Sequence, residues 1–282
     1  MRIDLHTHST ASDGTLTPAE LMGAAASAGL DVIAITDHDT TAGWEPAGAA
    51  LPAGLTLVPG AELSCRWYAT DRPIGLHLLA YLFDPADPAL SAALAAVRED
   101  RVRRAQRMVD LLRADGIDVT WDEVSGYAGG GTVGRPHLAQ ALIRRGLAGT
   151  VSEAFASHLL GERYRLPKHD LDVFAALRLV RAAGGVTVFA HPKATRRGPV
   201  VPDELIVQMA AAGLFGLEAD HCDHTPAERA HVRALAADLG LVVTGSSDFH
   251  GSNKTVQLGA CTTAPDVYER IVSSAKGYAP VR

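Results

Sequence analysis

The sequence predicts an α/β protein: a barrel of about seven parallel β/α units, interrupted by a helical insertion. Three observations point there. Short apolar runs alternate with longer helical patterns, which is the rhythm of strand–helix units with a parallel sheet. Seven such runs suit a barrel better than a sandwich. From about Asp84 to Pro167 the alternation gives way to helices alone.

The candidate strands are Ile3–His6, Val32–Ile35, Leu55–Val58, Leu76–Leu82, Val186–Ala190, Phe215–Ala219 and Leu241–Gly245. Between the first two lies PAELMGAAASAG, where Pro18 suits a first helical turn and Gly29 a helix end. The barrel is expected to span residues 1–83 and 168–282, with residues 84–167 as an insertion covering the active site. Its predicted helices are Pro88–Asp115, His137–Arg145 and Val151–Leu160, with a Gly-rich connection, YAGGGTVGRP, between the first two. From Arg98 to Lys168 there are 12 basic and 9 acidic residues, net +3, so the rest of the chain carries −9. The insertion is thus more basic than the body.

A length of 282 residues suits one large domain or one domain with a sizeable insertion. A 47% hydrophobic, 21% charged composition is ordinary for a soluble globular protein, and 5% aromatic content implies a core of Val, Leu, Ile and Ala. No apolar run approaches the roughly 20 residues that span a bilayer, and the start, MRIDLHTHS, does not read as a signal peptide. A cytoplasmic protein without a membrane partner is expected. Cys65, Cys222 and Cys261 are odd in number, widely spaced and form no CxxC pair, which speaks against a disulfide framework or a thiolate zinc site. The net charge of −6 argues against wrapping long nucleic acid. It leaves room for a small phosphorylated ligand, because bound metal can supply local positive charge.

The chemistry begins at IDLHTHSTASDG. Alternate side chains of a strand share a face, so His6 and His8 point the same way and can bind one ion. Asp13 follows in a Ser-Asp-Gly turn. Later strand ends supply His38 in TDHD, Glu62 in PGAEL, His77 in GLHLL, His191 in VFAHP, and Asp248 and His250 in SDFHG. In β/α barrels the C-terminal strand ends form the active face. Taken singly, His77 reads as a core histidine, Asp37 and His38 as turn residues, and Asp13 as an ordinary turn residue. Their succession at strand ends is what carries the argument. Nine nitrogen and oxygen ligands in one pocket need compensation, which two or three divalent ions provide. A mixed His/carboxylate set without thiolate suits Mn, Fe or Zn.

Other polar residues are candidates for the substrate. Gly134-Arg135-Pro136-His137 opens a helix, and helix starts bind anions. Arg135 could fork two hydrogen bonds to a phosphate, with His137 beside it. The sixth strand ends in LEADHCDH, where Glu218, Asp220, His221 or His224 could orient a ligand or donate a proton. Lys193, Arg196 and Arg197 follow His191 and could meet an anion, but read more readily as a solvated loop.

HTHSTASDG, TDHD, the Gly-Ala-Glu turn, the lone His77, AHP and SDFHG resemble, in order, the motifs of the polymerase and histidinol phosphatase (PHP) family, from Met1 to about Gly251. That resemblance implies a distorted seven-stranded (β/α)7 barrel with a multinuclear metal site. The insertion with GRPH is similar to small PHP phosphoesterases acting on nucleotides, such as 3′,5′-nucleoside bisphosphate phosphatases and 5′-end-directed exonucleases. By the same resemblance His6, His8, Glu62 and Asp248 would surround one ion. Glu62 would bridge to a second ion held by His77 and His191, while Asp13, His38 and His250 would hold a third. Arg135, His137 and His224 would meet the substrate. Ala219-Asp220 departs from the aliphatic–aromatic pair usual in such relatives.

The expected activity is metal-assisted hydrolysis of a phosphomonoester on a small nucleotide, most simply the 3′-phosphate of a 3′,5′-nucleoside bisphosphate. Glu62 and Asp248 would serve catalysis through the ions, His221 or His224 would protonate the leaving oxygen, and Arg135 would grip a second phosphate. The rivals are a 5′-end-directed exonuclease on short RNA, a histidinol-phosphate-type phosphatase and a non-catalytic metal-binding module. The intact set of nine ligands speaks against the last.

Overall fold

The computed structural model describes residues 1–68, 73–156, 159–164 and 166–282. Its sheet runs β1 (Ile3–Asp4), β2 (Val32–Ile35), β3 (Thr56–Trp67), β4 (Ile74–Tyr81), β6 (Val186–Phe189), β7 (Gly216–His221) and β8 (Val242–Ser246), with short β5 (Leu171–Asp172) paired to the outer end of β3. These seven strands curl into a nearly closed barrel. Between β8 and β1, Thr7 bridges Phe249, and the Thr263 N–H donates to Ile3 O at 2.9 Å.

Alternation along the strands separates two apolar faces. Ile33, Ile35, Leu57, Ala61, Leu63, Leu78 and Leu217 pack under the helices α1 (Pro18–Ser27), α2 (Trp44–Ala49), α7 (Val173–Ala182), α8 (Asp203–Ala211) and α9 (Pro226–Asp238). Ile3, Val32, Ala34, Val58, Leu79, Tyr81 and Val188 form the opposite face with α10 (Pro265–Ser274). Glu62, His77 and Glu218 are each one residue out of step with the helix-facing set, so their side chains share the second face. Sequence parity thus turns these polar groups inward.

Most expected elements are present, with shifted edges. The first strand stops at Asp4 rather than His6, because Leu5–His8 leaves the ladder toward Phe249. The third strand runs on through Pro59-Gly60 to Trp67. The expected Gly-Ala-Glu turn is therefore strand, and Gly60 admits a close approach: a Cβ would meet Ala80 O at 2.9 Å. The expected all-parallel order fails at β4, which is antiparallel to both β3 and β6. Six residues separate Trp67 from Ile74, whereas a parallel return needs a crossover of about a dozen or more.

Among the described residues between 84 and 167 there is no strand. Helices α3 (Pro88–Ala114) and α5 (Arg135–Arg144) lie close to their expected limits. An unexpected α4 (Trp121–Ala128) begins with a reciprocal Thr120–Glu123 cap and takes in the first two residues of the expected connection. Helix α6 (Val151–Ala156) starts where expected, and residues 157 and 158 of its expected continuation lie outside the described residues. These helices enclose an apolar cluster of their own, including Met108, Leu112, Val124, Leu138 and Leu142. No helix among the described residues is long and apolar enough to cross a membrane.

Candidate metal centre

Strands and the segments that follow them deliver polar groups to one buried point, Glu62 and His77 from within β3 and β4 rather than from strand ends as expected. Glu62 is its centre. One carboxylate oxygen lies 3.1 Å from His6 Nε2, 3.1 Å from His8 Nε2 and 3.4 Å from His38 Nδ1. The other lies 2.6 Å from His77 Nδ1 and 3.3 Å from His191 Nε2. Asp248 Oδ1 joins the first set, 3.3 Å from His6 Nε2 and 3.4 Å from His8 Nε2. Asp13 faces His250 at 3.4 Å, His8 at 3.6 Å and His38 at 3.8 Å. Eight of the nine expected ligands therefore fall into overlapping groups, with His8, His38 and Glu62 shared between them, and His191 joins them through its contact with Glu62.

Local backbone explains several placements. His38 bridges Glu62 in parallel register, and Asp39 N–H donates to Glu62 O at 3.0 Å, so the end of β2 is pulled along β3. Asp37 accepts from Ser9 N–H at 2.8 Å and from Ser12 Oγ at 2.6 Å, which fixes the loop leading to Asp13. His191 and Asp248 both hold positive φ, 35° and 54°, a cost that non-glycine residues bear mainly at functional sites.

The donor set fits divalent cations. His38 Nδ1, His77 Nδ1 and Asp248 Oδ1 are buried with no hydrogen-bond partner among the described residues. His77 Nδ1 is within ion-pair distance of Glu62, yet off a hydrogen-bond axis. His6 Nε2 and His8 Nε2 face each other at 3.1 Å across two carboxylates. Atoms aimed at common points rather than at one another are what metal ligands look like.

Electrostatics agree. Burial would raise the Glu62 carboxyl, but His77, His38 and His6 hold it well below the usual carboxylate range. Burial disfavours charge on His6 and His8. Glu62, Asp248 and Glu218 nevertheless hold His6 well above its ordinary value, and Asp248 and Glu62 raise His8 to about 9. Burial lowers His38 and His250, and with Arg197 takes His191 down to about 3. Without metal, positive charge would thus sit on His6 and His8, between the acidic groups.

Comparison with known proteins gives the family. The PHP-domain family model matches residues 4–111. A 5′-3′ exoribonuclease of Haemophilus influenzae is 34% identical over 92% of this chain and 93% of its own. The chain belongs to the PHP family. A 3′,5′-nucleoside bisphosphate phosphatase of Chromobacterium violaceum is also 34% identical, over 88% of this chain and 87% of its own. A solved structure from Bifidobacterium adolescentis, assigned as a metal-dependent phosphoesterase, superposes with a TM-score of 0.90 at 37% identity, covering 97% of this chain and 96% of that one.

Around this PHP centre, residues the sequence left unsorted take distinct places. Glu218 Oε1 holds His6 Nδ1 at 3.0 Å and its other oxygen accepts from His191 N–H at 2.8 Å, so it orients two of the candidate ligands. Asp220 instead pairs with Arg233. His221 Nε2 lies 3.3 Å from Asp248 Oδ2, while its Nδ1 accepts from Asp223 N–H at 3.0 Å. His224 is engaged by backbone at both nitrogens, with Ala219 O at 2.8 Å and Lys193 N–H at 3.3 Å. His137 Nδ1 accepts from Gly134 N–H at 2.9 Å and caps α5. Arg135 donates to Leu160 O at 2.5 Å and lies over the Phe155 ring, 4.7 Å from its centre.

The loop after β6 is not simply solvated. Arg197, still exposed, contacts Asp248 and donates to Asp223 at 2.6 Å, and Lys193 is buried against Asp203 at 2.6 Å; Arg196 is exposed too. Lys254 Nζ reaches Asp248 Oδ2 at 2.6 Å. Sequence reading missed Asp223 and Lys254, because neither stands at a strand-periodic spacing.

The centre opens into a cleft with two lobes that share Asp13, His38, His77, Pro136 and Phe155. One, of about 480 Å³, runs toward Arg196, Arg197 and Lys254. The other, of about 590 Å³, runs along α3 past Arg101 and Arg104 to Arg66 and Lys168.

Proposed function

We propose that the chain is a phosphatase that removes the 3′-phosphate from a 3′,5′-nucleoside bisphosphate. The observation that carries this is Glu62, whose two oxygens face different histidine sets within a cleft edged by cations. The name of the Chromobacterium violaceum relative supports the substrate. His6, His8, Glu62 and Asp248 would hold one ion, Glu62, His77 and His191 a second, and Asp13, His38 and His250 a third, drawn from Mn, Fe or Zn. Such ions would supply Lewis acidity and concentrated positive charge for attack of water on phosphorus.

The chain's own groups do the rest. Glu218 fixes the His6 and His191 orientations. Arg197 and Lys254, now on Asp248, stand where phosphoryl oxygens would arrive and can turn to them. His221 is better placed than His224 to protonate a leaving oxygen, because its Nε2 carries the proton toward Asp248 while both His224 nitrogens are used by backbone. Residues 84–167 would form a subdomain over the site, as Pro136, Val151 and Phe155 line the same cleft as Glu62. A cytoplasmic location belongs to the same proposal.

The test is turnover of nucleoside monophosphates, bisphosphates and short 5′-phosphorylated oligoribonucleotides by one metal-analysed sample. Fastest release of one phosphate from a bisphosphate is expected. Preference for oligoribonucleotides would favour exonucleolytic trimming, the reading that the Haemophilus influenzae relative supports.

A further inference from the structure

The sequence sets Cys222 and Cys261 39 residues apart, yet the fold brings their sulfurs to 3.7 Å. Cys222 stands in the turn that follows β7, and Cys261 in the link between β8 and α10. Both are free and half-buried, whereas the third cysteine, Cys65, is fully buried. Cys222 also lines an open cavity of about 1080 Å³ that it shares with Tyr127, Gln140 and Arg144 of the insertion, so a small reagent can reach its sulfur. Neither sulfur has a part in the phosphatase chemistry above.

The two sulfurs are held differently. Beside Cys261, Thr263 N–H donates to Ile3 O at 2.9 Å and the Thr263 hydroxyl donates to Gly245 O at 2.8 Å. A Cβ on Gly245 would strike Thr262 O, so this link is packed tightly on the barrel. Cys222 instead belongs to a turn whose other members face the metal centre. His221 has its Nε2 3.3 Å from Asp248 Oδ2 and accepts from Asp223 N–H at 3.0 Å, and the Asp223 carboxylate accepts from Arg197 at 2.6 Å. A disulfide bond is about 2.0 Å long, so closing the 3.7 Å gap draws the sulfurs together by roughly 1.7 Å. With the Cys261 side anchored, that travel falls mainly on the turn.

We propose that Cys222 and Cys261 form a thiol modification site, closing reversibly to a disulfide that displaces His221 and Asp223 and slows turnover. The effect on turnover rests on the phosphatase reading above, in which His221 carries the proton for the leaving oxygen. The oxidant is a small-molecule disulfide such as glutathione disulfide. The Cys222 thiolate attacks one of its sulfurs, forming a mixed disulfide and expelling one glutathione thiolate. Cys261 then gives its proton to solvent, attacks the Cys222 sulfur, forms the Cys222–Cys261 bond and expels the second thiolate. Two cysteine thiols are oxidised by two electrons, and the reagent is reduced to two thiols as the departing thiolates take up protons. Burial and the adjoining Cys222 push the Cys261 thiol above its ordinary value, which leaves Cys222, on the open cavity, to attack first. Burial holds the Cys65 thiol well above its ordinary value, so it stays out of the exchange. A pair that rests as thiols and closes only on oxidation is the form that disulfides take in reducing compartments.

The test treats the zinc-loaded protein with excess glutathione disulfide and then with dithiothreitol, alongside Cys222→Ser and Cys261→Ser. Thiol counting and peptide mapping should show wild type falling from three free thiols to one, with Cys222 joined to Cys261 and Cys65 untouched. On adenosine 3′,5′-bisphosphate, kcat should fall about ten- to hundredfold, because misplacing a reacting group by about 1 Å can cost that much. Metal content should stay constant, and dithiothreitol should restore the rate. Cys222→Ser should keep its rate throughout, and Cys261→Ser should trap a glutathione on Cys222. Failure of wild type to form the Cys222–Cys261 bond would overturn the proposal, as would the bond with unchanged kcat. An equal loss of rate in Cys222→Ser would place the damage elsewhere and overturn it too. The wild-type arm carries no substitution, so it decides the matter even where a variant folds poorly. If reduced wild type turns over no phosphate substrate, the phosphatase reading fails by itself. The cysteine pair then stands or falls on the bond and on a shift of the His221 imidazole NMR signal when it closes.

Discussion

Glu62 concentrates the residue-scale argument. A carboxylate that faces two histidine sets neutralises two ions, so Glu62→Gln should lose both bound metal and nearly all turnover while far-UV CD and Tm show a folded protein. A ligand's supporting partner typically contributes ten- to hundredfold in metal affinity or activity, and a bridging ligand should contribute more. Near-normal rate in Glu62→Gln would make the residue structural. Glu218 gives the complementary case: it touches no common ligand point but holds His6 and the His191 backbone. Glu218→Gln should cost about ten- to hundredfold in metal affinity, and unchanged affinity would remove its orienting role. Protons report on the same centre. With His6 held well above its ordinary value and His8 at about 9, both are charged at neutral pH without metal and must deprotonate to ligate. Metal uptake near pH 7.5 should therefore release at least one proton per chain, and affinity should rise as pH approaches 9. Titration in weak buffer reads this directly, and uptake without proton release would contradict it.

At the scale of elements, legibility depended on whether period two held. His6 and His8 were readable because two residues apart on an extended chain means one face. The LEADHCDH stretch was not, because β7 has an irregularity between Glu218 and Asp220. Glu218 stays inside, Asp220 turns out to Arg233, and His221 comes back in, which alternation alone cannot foresee. Arg197 reaches Asp248 from the loop after β6, a long-range meeting without local pattern, and Lys254 folds back on it from six residues downstream. The Gly-rich connection after α4 was legible as a connection, but not its contact: a Cβ on Gly131 would meet Thr10 O at 2.6 Å and Ala11 O at 2.7 Å. Thr132 N–H also donates to Ala11 O at 2.9 Å. Gly131→Val should push on the loop that carries Asp13, destabilise by about 1–3 kcal/mol, and weaken metal held by Asp13, His38 and His250 first. Thermal melts with and without metal would show a reduced metal-dependent gain, and an unchanged gain would separate the insertion from the metal loop.

For the molecule as a whole, the (β/α)7 architecture followed from the spacing of apolar runs, whereas the antiparallel β4 followed only from the short link before it. The clustering of the nine candidate ligands was legible because most follow strand ends, which converge in a barrel whatever the intervening sequence, although Glu62 and His77 come from within β3 and β4. Which ligand belongs to which ion was not, because His8 and His38 stand between groups. The cations facing the cleft were least legible, since those of α3 look in sequence like an ordinary solvated helix face. The central claim is that these converging side chains form a multinuclear metal centre. Its most direct test is the metal content of fully active protein, by elemental analysis together with anomalous scattering from crystals. Two or three transition-metal ions per chain, positioned among Glu62, Asp248 and Asp13, are expected. Full activity with at most one bound ion would contradict the account.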